Sequence, residues 1–189
     1  MRTRIPGRLG MAAALLAGAA VAYAGSAPQA FVPRSDEDVA RSVRHEIVMY
    51  PHYTIWDNIN YSVNNGSVEL TGAVSQPYKK SDLGKIVQKI PGVTSVTNRL
   101  EVLPLSPMDD RLRLQIARAI YRDPSLARYA ILAVPPIHII VDSGHVSLEG
   151  VVNNEMEKEV AGIRANSAGL SFGSVTNNLR VENPSVKKG

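Results

Sequence analysis

Residues Ile59-Asn-Tyr-Ser-Val-Asn-Asn-Gly-Ser-Val-Glu-Leu-Thr-Gly-Ala-Val74 return 78 positions later as Ile137-His-Ile-Ile-Val-Asp-Ser-Gly-His-Val-Ser-Leu-Glu-Gly-Val-Val152, with seven of sixteen positions identical. A second block, Ser95-Val-Thr-Asn-Arg-Leu-Glu-Val102, returns at Ser174 to Val181 with six of eight positions identical. Two blocks in one order at nearly one offset mark a module written twice. Within the first block Ile59, Tyr61 and Val63 alternate, Asn65-Gly66 follows, and Val68 and Leu70 alternate again. Asparagine and glycine both tolerate positive φ, so this spacing predicts a tight β-hairpin.

Working outward, Ala40, Val43, Ile47 and Tyr50 recur at helical spacing before the hairpin, behind Ser35 and the acids Asp36, Glu37 and Asp38. A serine cap and early acids suit a helix start. After the hairpin, Leu83, Ile86, Val87 and Ile90 predict a second helix, Pro91-Gly92 ends it, and Val96, Leu100 and Val102 predict a last strand. The second copy opens at Ser106-Pro107-Met108-Asp109 and continues through Leu112, Ile116, Ala119 and Ile120. Its later helix is expected to bury Met156, Val160 and Ile163, and its last strand Val175, Leu179 and Val181. The pre-hairpin loop is longer here and carries Tyr129-Ala-Ile-Leu-Ala-Val-Pro-Pro136.

These patterns predict an α+β fold of two tandem α-β-β-α-β domains, residues 35–103 and 106–182. Each is a three-stranded mixed sheet with two helices on one face. Four residues, 104–107, join the copies, so contact between the domains is expected. Gly72 and Gly150 either admit a helix at the buried parity of a strand or simply end it.

Of 189 residues, 44% are hydrophobic, 20% are charged and none is cysteine, which excludes disulfide scaffolds, thiolate metal sites and thiol nucleophiles. Arg2, Arg4 and Arg8 precede an uncharged run from Leu9 to Ala22, and Ala22-Tyr23-Ala24 supplies small residues for cleavage. The layout reads as a signal peptide over 1–24, cut after Ala24, with a loose lead-in over 25–34. A retained anchor is the alternative, though the run is shorter than the roughly 20 residues of a membrane span. Without that leader 18 basic residues face 17 acidic ones, too even a balance for a nucleic-acid footprint. Residues 183–189 read as a tail.

The run from Ile59 to Val74, then an amphipathic helix, then Gly92-Val-x-x-Val-x-Asn-x-Leu-x-Val102, resembles the BON domain (bacterial osmotically inducible Y and nodulation). A leader followed by two such domains is similar to the osmotically inducible periplasmic protein Y family. The resemblance implies an α-β-β-α-β fold, no catalytic activity, no cofactor and a periplasmic role in the cell envelope. It also implies partners among phospholipid surfaces or envelope proteins, and for some members chaperone-like behaviour. Membrane contact would be peripheral, because no cysteine is present for lipid attachment.

Candidate contact residues lie in two places. Lys80, Lys85 and Lys89 flank the apolar stripe of the first copy's second helix, which also holds Lys79 and a single acid, Asp82. Lysines so placed can meet anionic headgroups; the same pattern also describes a solvated face whose cations suit the helix C-terminus. Tyr50, Tyr53, Ile55 and Trp56, and later Tyr129, Ile131, Leu132 and Val134, make the pre-hairpin loops apolar. They are expected either to extend the core or, if exposed, to form a lipid or protein patch, with Tyr53, Trp56 and Leu132 the leading residues. His45, His52, His138 and His145 show no metal spacing, and His138 and His145 fall at outward strand parity. Asn98 and Asn177 occupy matching positions at apolar parity, where a buried amide needs partners, and are expected to tie the preceding turn to the strand. No catalytic or metal site is expected.

Overall fold

A computed structural model of the chain describes residues 34–169 and 174–182. The leader, most of the lead-in, the tail and residues 170–173 lie outside these residues. The first domain runs α1 (Asp36–Val48), β1 (Asn58–Asn64), β2 (Ser67–Val74), α2 (Pro77–Gln88), β3 (Ser95–Asn98) and β4 (Glu101–Val102). The second runs α3 (Pro107–Tyr121), α4 (Ala127–Ala130), β5 (Ile137–Asp142), β6 (His145–Val152), α5 (Glu155–Gly169), β7 (Val175–Asn177) and β8 (Arg180–Val181). The short helix α4 occupies part of the segment that sequence reads as plain loop.

In each domain the hairpin strands pair antiparallel, and the second hairpin strand pairs parallel with a last strand broken in two, β3–β4 or β7–β8. The expected α+β architecture is therefore present twice. Both helix starts carry the expected cap: Ser35 Oγ accepts from Asp38 N and Ser106 Oγ from Asp109 N, each at 3.2 Å. The acids do more than suit the helix ends. Asp36 accepts the Asn65 and Gly66 N–H groups at 2.7 and 2.8 Å, and Asp109 accepts those of Ser143 and Gly144 at 3.1 and 2.9 Å. Those turn residues stand at positive φ, where a two-residue hairpin turns its N–H groups outward for capture.

The break in the last strand has a physical cause. Asn98 Nδ2 donates to the Lys80 carbonyl at 2.8 Å while Asn98 Oδ1 accepts from Leu100 N at 3.2 Å. Asn177 repeats both bonds with Lys158 and Leu179. These amides tie helix to strand, not the preceding turn to the strand as expected. Opposite each stands a glycine that sequence reading passed over: a Cβ on Gly84 or Gly162 would sit 2.9 or 2.8 Å from the amide nitrogen. Gly72 and Gly150 answer neither earlier reading. They sit inside β2 and β6 at φ +106° and +115°, and a Cβ there would lie 2.1 Å from the Asn58 carbonyl or 1.9 Å from that of Pro136. The approach is by backbone at the start of the neighbouring strand, Asn58 of β1 or Pro136 just before β5, not by a helix.

The first core gathers Val39, Val43, Ile47, Val68, Leu70, Val74, Leu83, Val87 and Leu100. Val39 takes the buried place expected of Ala40, and Leu103 is buried where Val102 is not. The second core gathers Leu112, Ile116, Ile120, Ile137, Ile139, Leu148, Ala161 and Ala165. Here the helix phase read from sequence is wrong. Met156 and Ile163 are 64% and 61% exposed, and Glu157, Ala161 and Ala165 point inward instead, with Val160 at the margin. The inner face of α5 is made of small side chains because it packs closely on α3, whose large Leu112, Ile116 and Ile120 fill the space.

Candidate functional site

The loop before the first hairpin is where the domains meet. Ile139 N of β5 donates to the Ile55 carbonyl at 2.7 Å. The Tyr53 ring stacks on His138 with centroids 5.3 Å apart, its hydroxyl 3.3 Å from Nε2. Trp56 packs against the core of the second domain. This contact overturns the outward reading of His138, which is 7% exposed; its strand parity is outward, but the other domain covers it. His45, His52 and His145 are exposed, and His145 keeps the outward strand position expected of it.

Beneath the loop lies a buried ion pair absent from the sequence reading. Lys79 Nζ donates to Asp57 Oδ2 at 2.7 Å and to Ser75 Oγ at 2.8 Å. The carboxylate also accepts from Ser75 N and Oγ at 2.7 and 2.8 Å, and from Thr54 N and Oγ1 at 3.0 and 2.8 Å. Burial alone would raise the Asp57 carboxyl, but Lys79, the Ser75 amide and the Thr54 hydroxyl outweigh it and hold it below the usual range. The second domain solves the same place with other chemistry. Tyr129 Oη donates to Glu157 Oε2 at 2.5 Å and accepts from Asn153 N at 3.0 Å, while Arg128 pairs with Glu157 from outside.

Burial lowers the His138 pKa, more than the nearby backbone and the charges of Asp57 and Glu149 raise it. Among the described residues its buried Nδ1 has no hydrogen-bond partner. The facing Tyr53 hydroxyl is pushed up to about 12 by burial and then by Asp57, so it stays neutral across the range. The folded state therefore binds the His138 proton less readily than the unfolded chain, whose histidines titrate near 6.5. Stability conferred by the junction is complete above that value and declines as pH falls through the lower folded pKa. Urea midpoints measured down the pH scale should fall over this window in the parent and stay flatter in His138→Gln; an equal slope in both would refute it.

Lys85 and Lys89 are exposed and Lys80 is half-buried; none of the three forms an ion pair among the described residues. Lys89 edges a groove between α1 and α2 with Arg34, Glu46 and Ile86. The matching groove of the second domain, between α3 and α5, is edged by Arg118, Arg122 and Arg164. There Asp123 is held near a pKa of about 2 by the Ser125 hydroxyl and amide and by Arg164. The structure does not bring the lysines and aromatics onto one patch. Lys85 and Lys89 stand toward the far end of α2, roughly 12 and 18 Å of helix from its start beside the junction. Tyr53 and Trp56 are engaged between the domains, while Leu132 is 49% exposed next to Ile131 at 86%.

No helix among the described residues is long and apolar enough to cross a membrane, and among them no group of three His, Asp or Glu side chains converges on a metal position. The BON-domain model matches residues 35–104 and again residues 109–183. The chain belongs to the BON-domain family. BON domains are associated with phospholipid binding and with envelope or osmotic-stress proteins, and the family is generally non-enzymatic. No curated protein matches this tandem BON chain. Among solved structures it is similar to the C-terminal domain of CdsD, the structural protein of the type III secretion system of Chlamydia trachomatis. That match has 18% identity and a TM-score of 0.30, covering 79% of this chain and 67% of that one. A second CdsD structure from the same organism matches at 16% identity and a TM-score of 0.28, over 79% and 94% of the two chains.

Proposed function

We propose that this tandem BON protein is a non-enzymatic, periplasmic envelope-stress protein that binds anionic phospholipid surfaces peripherally and reversibly. Export behind the leader read over residues 1–24 would place it there. The observation that carries the reading is the set of exposed cations at and beside the helix-pair grooves: Lys89, with Lys85 one turn before it on α2, in one domain, and Arg118 and Arg122 in the other. Each cation near a charged bilayer is worth about 1 kcal/mol. The aromatic part of the contact changes, because Tyr53 and Trp56 serve the domain junction and leave the cations to act without them.

Co-sedimentation with phosphatidylglycerol-containing and pure phosphatidylcholine vesicles tests this. Binding should be confined to the anionic vesicles and fade as salt rises past about 0.15 M, where the Debye length is near 8 Å. Lys85→Glu with Lys89→Glu should weaken it by roughly tenfold or more, at about 1 kcal/mol for each cation lost. Equal binding to both vesicle types, or none, would overturn the proposal. A protein-binding adaptor is the second reading, favoured by the exposure of Ile131 and Leu132. Suppression of client aggregation that Leu132→Asp abolishes and lysine reversal does not would support it.

A further inference from the structure

The two sheets end differently. β5 is the outer strand of the second sheet, and the backbone groups of Ile137, Ile139 and Val141 point away from β6. Each residue is met there. Tyr121 Oη donates to the Ile137 carbonyl at 2.6 Å, Arg113 Nη2 donates to the Val141 carbonyl at 2.6 Å, and Ile139 N donates to the Ile55 carbonyl at 2.7 Å. All three residues have no exposed surface.

β1 is the outer strand of the first sheet, and Ile59, Tyr61 and Val63 hold the same three places by the 78-residue offset. They are only half-buried. Among the described residues no protein group bonds the Ile59 or Val63 carbonyl or the Tyr61 N–H on that side. The cause is in the sequence. Aligning the hairpin-gripping Asp36 with Asp109 sets Ala40 where α3 has Arg113 and Val48 where it has Tyr121, and neither hydrocarbon side chain can donate. An edge strand with unpaired backbone groups is a template for pairing, and Asn58–Asn64 carries neither the charge nor the proline that often blunts such an edge.

The third cap on β5 comes from the pre-hairpin loop of the first domain. The counterpart of that loop in the second domain is free. By the hairpins' 78-residue offset Ile131 corresponds to Tyr53 and Ala133 to Ile55, and both Ile131 and Leu132 are exposed. The chain thus carries one such loop already docked on an edge, a second loop undocked, and a second edge uncapped.

We propose that the Ile131–Val134 loop of one copy docks on the β1 edge of a second copy, repeating between chains the contact that joins the two domains within one. Ala133 offers its carbonyl to the partner's Tyr61 N–H, and Ile131 covers the partner's Asn60, the counterpart of His138. Such a contact is head-to-tail, so each added copy leaves one loop and one edge unused and the assembly grows beyond a dimer unless it closes into a ring. The assembly does not depend on lipid.

Sedimentation velocity of the full chain, without vesicles, should show an average mass that rises with concentration and passes that of a dimer. Ile131→Asp with Leu132→Asp, changes at exposed positions that spare both cores, should abolish the rise. Because the chain has no cysteine, a second test is clean. Chains carrying Ile131→Cys mixed with chains carrying Asn60→Cys should form the mixed cross-linked pair in clear excess over Ile131→Cys mixed with Glu101→Cys. A monomer at every concentration, or cross-linking no greater than in that control, would overturn the proposal.

Discussion

Asp57→Ala should cost about 3–5 kcal/mol, the range for removing one partner of a buried ion pair. The substitution leaves the Lys79 ammonium, whose side chain is 5% exposed, without its anion, and it strips the Ser75 and Thr54 amides of their acceptor. A domain of this size holds only several kcal/mol in reserve, so the first domain should be largely unfolded at ambient temperature, and the junction built on Thr54 to Trp56 should loosen with it. Urea denaturation followed by Trp56 fluorescence reads both. The double substitution Asp57→Ala with Lys79→Met should recover much of the loss, since an apolar pair can replace a buried ionic one at little cost. The parent carries a related pH signature. The Asp57 carboxyl lies below its unfolded value near 3.8, so its contribution is present above that value and is lost as pH falls through the lower folded one. A midpoint within about 0.5 kcal/mol of the parent would show that the pair adds nothing, because changes that small are ordinary for surface sites.

Gly150→Ala should be comparably severe, at about 3 kcal/mol or more. A residue at φ +115° occupies backbone space that is close to glycine-only, worth about 1–3 kcal/mol by itself. The added Cβ would also fall 1.9 Å from the Pro136 carbonyl oxygen, a backbone atom that cannot swing aside. Relief requires β5 and β6 to part at the end where Ile137 pairs with Gly150. Hydrogen exchange should show early loss of protection in β5 and β6, with the strands of the first domain affected less. Gly72→Ala should invert that order, through the Asn58 carbonyl. Unchanged exchange in β5 and β6 would refute the account.

Much of this fold was legible because its signals are local. Asn65-Gly66 states the turn, the alternation of Val68, Leu70 and Val74 states a half-buried strand, and Ser35 and Ser106 state the helix starts. What failed depends on neighbours distant in sequence. The inward face of α5 could not be chosen from its largest apolar residues, because closeness to α3 demands alanine there and leaves Met156 and Ile163 in solvent. His138 has outward parity, and only the Tyr53 loop of the other domain reveals that it is covered. Lys79 looked like one more surface cation, since nothing local announces Asp57 22 residues away. The candidate site divides along the same line. Exposure of Lys85 and Lys89 followed from helical phase, whereas the engagement of Tyr53 and Trp56 needed the domain junction.

A chain that writes one module twice runs a folding hazard, because the helix of either copy could be captured by the ribbon of the other. The differing polar clusters below the two loops oppose that exchange. Were α5 seated on the first ribbon, Glu157 would face Asp57, two carboxylates pressed together out of water. Were α2 seated on the second, Lys79 would meet the phenol of Tyr129 with no counter-ion in reach. Each misassembled product would bury an uncompensated charge, so the divergence between the repeats works as a lock that directs every helix to its own sheet.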